Sequence, residues 1–340
     1  MTRASDDSSL PTNGHDLSAG EPGLLAELAA RALREYAAGG AVTLLNVSEN
    51  ATFLVRDPAT GGRTILRIHR RAYHGEAQIA SELAWLDALR DQAGLRTPRV
   101  VAAADGRRIV DIDPGPVPRH AVMFEWLPGS EPPDHDLVTA FGTLGALTAR
   151  MHEHSSGWRP PAGFDRFAWD YDGAFGGVAR WGRWQDGIGV GPAERAILGR
   201  LDRVLAARLA AFGRGPARYG LIHADLRLAN LLVHGPETYV IDFDDCGWGW
   251  LLYDLGAAVS FIEDDPRVPA LVDAWAGGYR TVRPLSAEDE REIPTFILMR
   301  RLLLVAWIGS HAGTDLARSM GAAYTSGSCE LAESYLSSFG

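Results

Sequence analysis

Apolar positions recur along this chain first at helical spacing, then at strand spacing, then at helical spacing again. Residues 23–37, GLLAELAARALREYA, repeat every three to four positions and predict a helix. The stretch AVTLLNVSENATFLVRDPATGGRTILRIHRR reads as strands around two turns, the second marked by DPATGG. GEAQIASELAWLDALRDQAG then predicts an amphipathic helix with Ile79, Leu83, Leu86 and Leu89 on one face and a glycine near its end. RVVAAADGRRIVDID and RHAVMFEWLPG supply further strand-like runs, so the N-terminal part reads as an antiparallel sheet with one inserted helix. After LPGSEPP the rhythm turns helical, in DLVTAFGTLGALTARMHEHS (136–155), in PAERAILGRLDRVLAARLAAF (192–212) and again from Ser286, which is placed as an N-cap. Only YGLIH, NLLVH and TYVIDF interrupt it as short strands, and Pro128 and Gly129 mark the hinge between the two regimes.

Composition narrows the picture. A chain of 340 residues, 46% hydrophobic and 22% charged, buries a sizeable core and is long enough for two domains or lobes. A net charge of −10 argues against a general nucleic-acid binder. Cys246 and Cys329 are the two cysteines, too few for a disulfide framework and not spaced as zinc ligands. The N-terminus lacks an apolar signal core, and the longest apolar run, FILMRRLLLVAWIG, is broken by Arg300 and Arg301. A cytoplasmic protein with no membrane partner is expected. Residues 1–20, rich in Ser, Asp, Gly and Pro, are expected to be a disordered tail. All 33 basic residues are arginine.

The chemistry concentrates in HADLRLAN and the VIDFDD that follows it. Asp225 precedes Asn230 by five residues, and the strand TYVIDF returns Asp242 on the second arm of a hairpin, beside Asn230. An amide oxygen and a carboxylate are hard ligands suited to Mg²⁺, whose shell is completed by water and substrate phosphates. Asp225, not needed for the metal, is placed to accept the proton of an attacking hydroxyl. Three carboxylates at 242, 244 and 245 repel one another unless a cation sits among them.

HADLRLAN followed by VIDFDD is similar to the H-x-D-x-x-x-x-N and I-D-F motifs of the aminoglycoside phosphotransferase, choline kinase and homoserine kinase superfamily. Further pieces agree in order: LLNVSENATFLV resembles its phosphate-covering strand-turn-strand, TILRIHR its third strand, SELAWLDAL its first large helix, VMFEWLPG its interlobe linker, and YDLG a helix start. The resemblance implies an α+β, two-lobed protein-kinase-like fold, with a nucleotide-binding N-lobe over 21–127 and a mainly helical C-lobe over 128–340 carrying the catalytic loop and acceptor site. It implies an ATP- and Mg²⁺-dependent phosphotransferase acting on the hydroxyl of a small molecule, such as an amino alcohol, metabolite or antibiotic. A protein Ser/Thr kinase of the stress-response type and a nucleotide-binding pseudokinase are the alternatives.

By the same resemblance Asp225 is the base, Asn230 and Asp242 hold the metal, His223 braces the loop and Asp254 anchors it from below. Taken singly, Asp225 and Asn230 read more readily as residues that stabilise a turn. Arg67 stands where the fold usually has a lysine, with Glu82 as partner; a solvent-facing arginine, or phosphate contact by His69 or Arg70, are the other readings. The covering turn carries Ser48, Glu49 and Asn50 in place of glycines. Phe124 would back the adenine pocket, with the Glu125 carbonyl and the Leu127 amide as adenine partners. Asp244 and Asp245 are open between a second metal contact, a substrate contact and a solvated turn. Asp170, Asp172, Glu263, Asp264 and Asp265, with Trp169, Trp181 and Trp184, would suit a cationic acceptor, although core packing explains the tryptophans as well.

Overall fold

The computed structural model describes residues 22–47, 50–113, 117–177 and 179–340. The expected tail and the turn residues Ser48 and Glu49 lie outside them. Helix α1 (Pro22–Glu35) precedes strands β1 (Ala41–Val47), β2 (Asn50–Arg56) and β3 (Arg63–His69). Helix α2 (Glu76–Ala93), β4 (Val100–Val101), β5 (Val110–Asp113) and β6 (Arg119–Glu125) follow. The six strands form one antiparallel sheet in the order β1-β2-β3-β6-β4, with β5 also on β6. The DPATGG turn closes β2 on β3: Asp57 accepts from the Ala59 amide and the Thr60 hydroxyl, and its own amide donates to Gly62 O at 2.9 Å.

Strand alternation divides this sheet into two faces. Phe53, Val55, Leu66, Ile68 and Met123 pack with α1 into one core. Val122, Phe124 and the partly buried Ile65 join the main core instead, with Ile79, Leu83, Leu86 and Leu89 of α2, these four nearly sealed from solvent. Arg67 shares the strand parity of Ile65 and is therefore turned toward α2 and the C-terminal half.

That half is built from α3 (Leu137–Gly157), α4 (Tyr171–Phe175), α5 (Pro192–Phe212), α6 (Tyr253–Ala258), α7 (Val268–Arg280), α8 (Ala287–Arg291), α9 (Ile293–Ser310) and α10 (Asp315–Phe339). Ser286 caps α8 by accepting from the Asp289 amide, as its sequence position predicts. Helices α3 and α7 approach backbone to backbone: a Cβ on Gly278 would stand 1.9 Å from Gly142 O. Two short sheets are set among the helices. The hairpin of β9 (Leu231–His234) and β10 (Glu237–Val240) pairs Leu231 with Val240. Strand β11 (Gly247–Trp250) runs antiparallel to β8 (Tyr219–Ile222) and parallel to β7 (Ala168–Trp169).

Strands β7 and β11 are additions to the sequence expectation; in GWGW the glycines hide the strand signal because they supply close approach to Phe167 and Ile222 rather than side-chain packing. Gly129, at φ 116°, lies against β9, where a Cβ would stand 2.6 Å from Val233 O, and Ser130 pairs with Val233. Among the described residues one helix, α9, is long and apolar enough to cross a membrane, yet 78% of it is buried inside the fold.

Candidate active site

Strand β8 ends at Ile222 and the chain passes into HADLRLAN through Ala224 at φ 68°. A fully buried carboxylate stabilises that left-handed step. Asp254, near the start of α6, accepts from the amides of His223 at 3.2 Å and Ala224 at 2.7 Å, and pairs with His152 Nε2 at 3.0 Å. The His223 ring accepts the Asp225 N–H on Nδ1 at 3.3 Å and donates from Nε2 to Ile241 O at 3.0 Å. Burial holds its pKa below the ordinary histidine value, which keeps the neutral tautomer those two bonds require. His223 therefore ties the loop to the returning strand and presents Asp225 outward.

Asn230 continues the β9–β10 register: its carbonyl accepts from the Ile241 amide at 3.0 Å, next to Asp242. Its Nδ2 donates to Asp225 O at 2.8 Å and to Asp225 Oδ2 at 3.1 Å, which leaves the amide oxygen as the free ligand end. Asp225 Oδ1 accepts from Arg300 at 2.6 Å and from Arg227 at 3.3 Å. Neither arginine figured in the sequence-derived site. Arg227, two positions after Asp225, carried a legible signal; Arg300, on a distant apolar helix, did not.

Strand β10 stops at Val240, so Asp242 lies beyond it, at φ 63°, and not on the strand. Desolvation in the crowded cleft floor, then the like charge of Asp244, push Asp242 to about 7; Asp225 and Glu82 add to this and Arg67 opposes it. Since 53% of its side chain still meets the open cleft, repulsion between carboxylates is the part of that shift that a cation would relieve. Asp244 turns inward. It stands 3.3 Å from His74 Nε2, 3.8 Å from His69 Nδ1 and 4.0 Å from Arg67. Burial opposes its charge, but His74, Arg67 and His69 outweigh burial and hold it well below the usual carboxylate range. Asp245 accepts from the Tyr73 hydroxyl at 3.0 Å, and that hydroxyl accepts from Trp181 Nε1 at 3.0 Å.

Across the cleft, Arg67 donates to Glu82 at 2.6 Å, both buried, and its other terminal nitrogen stands 3.9 Å from Asp242. The guanidinium is fixed against Phe124, 5.0 Å from the ring centre. Burial works against its charge, yet Glu82, Asp244 and Asp242 together leave its pKa above the ordinary arginine value. His69 is buried beside Asp244, and Arg70 follows the end of β3, so among these three the structure brings Arg67 to Glu82. Asn50 opens β2, buried; Glu125 closes β6, exposed, and Leu127 follows it, half-buried.

Several buried polar atoms around this pair lack a hydrogen-bond partner: Asn50 Oδ1, Arg67 Nε, Glu82 Oε2, Asp244 Oδ1 and both nitrogens of His69. Orphans clustered at one cleft, beside a carboxylate crowd, fit a polyphosphate with its cation and water. Among the described residues no three His, Cys, Asp or Glu side chains converge as a self-sufficient metal set. A cation there takes part of its shell from other donors, such as the Asn230 amide oxygen, water or a bound phosphate. A cavity of about 490 Å³ lies elsewhere, on the α1 face of the sheet, between Tyr36, Gly40, Val55, Asp57 and Met123. It contains none of these groups.

The acidic cluster expected for the acceptor does not form as such. Asp170 caps α4 and pairs with Arg214 at 2.8 Å. Glu263 is sealed against Arg301 at 2.6 Å and Tyr324 at 3.0 Å. Asp265 is held at about 2, first by its hydrogen bond with the Arg267 side chain. Asp172 and Asp264 are exposed, and Trp169, Trp181 and Trp184 are buried, as core packing requires.

The model of the phosphotransferase enzyme family matches residues 41–285. The structure of a microcompartment-associated aminopropanol kinase superposes with a TM-score of 0.85 at 50% identity, over 93% of this chain and 98% of that one. A homoserine kinase of Gluconobacter oxydans is 27% identical over 88% of this chain and 94% of its own length. An amicoumacin kinase in complex with AMP-PNP and Ca²⁺ shares the fold, with a TM-score of 0.74 at 22% identity over 92% and 96% of the two chains.

Proposed function

The chain belongs to the phosphotransferase enzyme family, and from that premise we propose that it transfers the γ-phosphate of Mg²⁺-bound ATP to the hydroxyl of a small amino alcohol. The observation that carries this reading is the convergence of Asp225, Asn230 and Asp242 on one cleft that Arg67 and Glu82 face from the other side. The two halves, 21–127 and 128–340, act in this reading as lobes closing on the nucleotide. Asn50, Arg67 and the backbone of Glu125 and Leu127 would hold the nucleotide, and Asn230 Oδ1 with Asp242 would hold its cation. The bound complex supplies the phosphoryl group and the positive charge that Asp242 lacks.

The residues of the chain do the rest. Asp225 orients the acceptor hydroxyl and takes its proton as the oxygen becomes nucleophilic. Asn230 and the His223–Asp254 brace hold Asp225 in place, and Arg67 offers a fixed positive charge to the phosphates. A binding module without turnover would have no use for a carboxylate held this firmly at the cleft. An amine-bearing acceptor is supported by the 50% identity to the aminopropanol kinase, and Asp245, a half-buried carboxylate that accepts from the Tyr73 hydroxyl at 3.0 Å, follows the cation-binding Asp242 by three positions. That makes Asp245 the proposed counter-charge for the ammonium.

The test is ATP consumption with aminopropanol, its N-acetylated analogue and a neutral sugar. The amine is expected to exceed its acetylated form in kcat/KM by about tenfold or more, with an advantage that falls as salt screens the site. Equal turnover of the neutral compounds at every ionic strength would remove the amino alcohol from this reading and leave the phosphotransferase.

A further inference from the structure

The most apolar helix of the chain, α9, carries two adjacent arginines, both buried. Arg301 completes its own balance among the C-terminal helices, with Glu263 at 2.6 Å and Ser328 Oγ at 2.7 Å. Arg300, about 100° round the helix, points to the catalytic loop instead. Its Nε donates to Ser260 Oγ at 3.0 Å, and one terminal nitrogen donates to Ala224 O and to the Tyr253 hydroxyl, each at 3.1 Å. The other donates to Asp225 Oδ1 at 2.6 Å. Four acceptors hold a planar group in a single orientation, which an ammonium on a flexible stem could not reproduce. The residues matched by the family stop at 285, short of this helix.

Counting acceptor sites on Asp225 shows what this clamp decides. A carboxylate offers about four lone-pair positions. Oδ1 accepts from Arg300 and Arg227, and Oδ2 accepts from Asn230. The position left open is on Oδ2. We infer that Arg300 is a positioning residue for phosphoryl transfer: by locking Oδ1, it fixes the carboxylate so that Oδ2 receives the acceptor hydroxyl. This rests on Asp225 being the group that takes the hydroxyl proton. Without the clamp Oδ1 keeps only the longer contact from Arg227 at 3.3 Å, which holds the carboxylate less firmly against rotation about its last bond. Arg300 lies buried in a largely apolar helix yet directs its donors to the loop and to α6 and its C-terminal flank, so the guanidinium serves the loop rather than the packing of α9.

The experiment compares Arg300→Met, Arg300→Lys and Arg300→Ala in the full chain with Asp225→Asn. Misplacing a reacting group by an ångström suffices for about a 10²-fold loss, so kcat of Arg300→Met should fall by about that factor while KM for ATP stays within about twofold. Arg300→Lys should lie between it and the native enzyme. Added guanidinium ion should restore kcat of Arg300→Ala by about tenfold, which a purely structural role would not allow. Should the Arg300 variants not fold, Ser260→Ala/Tyr253→Phe removes two of the four anchors and keeps the arginine; kcat about tenfold lower at unchanged ATP KM is then expected. Native kcat in folded Arg300→Met, or in that double variant, overturns the inference, as does activity lost only in proportion to unfolded protein with no rescue. If Asp225→Asn is inactive while Arg300→Met is native-like, this inference alone fails; if Asp225→Asn turns over normally, the reading beneath it fails too.

Discussion

Breaking the Arg67–Glu82 pair should separate its structural role from its chemical one. The pair meets at 2.6 Å with side chains 7% and 1% exposed, so removing one partner strands the other in the interior. That typically costs about 3–5 kcal/mol. The two single variants should not be equal. Arg67→Met leaves Glu82 unpaired and also withdraws the cation 3.9 Å from Asp242 and 4.0 Å from Asp244, which points to the upper end. Glu82→Leu leaves Arg67 with those two carboxylates, which points to about 3 kcal/mol. Arg67→Met/Glu82→Leu buries neither charge and should be less destabilised than Arg67→Met alone, which, with single losses of about 5 and about 3 kcal/mol, means a coupling above about 3 kcal/mol in a double-mutant cycle. Urea unfolding followed by tryptophan fluorescence reads the stability, and a coupled assay reads ATP turnover. Activity should stay lost in the double variant, by about 10²-fold in kcat/KM, because a stable apolar pair offers the phosphates no charge. A coupling below about 0.5 kcal/mol would refute the burial reasoning, and native ATP turnover in the double variant would reduce Arg67 to a structural arginine.

Further outcomes follow from the loop and from Asp242. Asp242, at about 7, lies above its ordinary value of 3.8, so the folded protein binds a proton that the unfolded chain has released. The stability this gives is complete below about pH 4 and is lost as pH rises through about 7. Melting of the protein in chelator should therefore weaken between about pH 5.5 and about pH 8, and Asp242→Asn should flatten that slope; equal slopes in the two proteins would contradict the shift. Asp254→Ala should destabilise by at least about 3 kcal/mol in urea, because it orphans the amides of His223 and Ala224 and the ring of His152. A loss under about 1 kcal/mol would mean that water replaces the carboxylate.

What the sequence made legible, and what it hid, divides along physical lines. Elements with an uninterrupted period came through: the helix expected at 192–212 is Pro192–Phe212, and the face Ile79, Leu83, Leu86, Leu89 is the buried face of α2. The spacing in HADLRLAN and VIDFDD brought Asp225, Asn230 and Asp242 together, because a hairpin register is local. Contacts between distant segments were not legible. Arg300 read as a break in an apolar run, and nothing in its neighbours along the chain announces Asp225, 75 positions away. Charge pairing was hidden for the same reason. Asp170 and Glu263, expected beside the acceptor, are each paired with an arginine from a distant segment, whereas the partner of Asp265, Arg267, stands two positions on. The inward turn of Asp244 toward His69 and His74 likewise needed the fold, since two histidines five positions apart on either side of a strand end carry no pattern of their own.

The central claim is that Asp225 acts on the acceptor and Asp242 on the nucleotide's cation. It is tested most directly by measuring aminopropanol phosphorylation and Mg-ATP affinity side by side in Asp225→Asn and Asp242→Ala. Asp225→Asn is expected to lose turnover by about 10³-fold while Mg-ATP affinity stays near native, because Asn230 and Asp242 remain in place. Asp242→Ala is expected to lose the magnesium dependence of nucleotide binding itself. Equal loss of Mg-ATP affinity in both variants, or turnover surviving in Asp225→Asn, would contradict this division of roles.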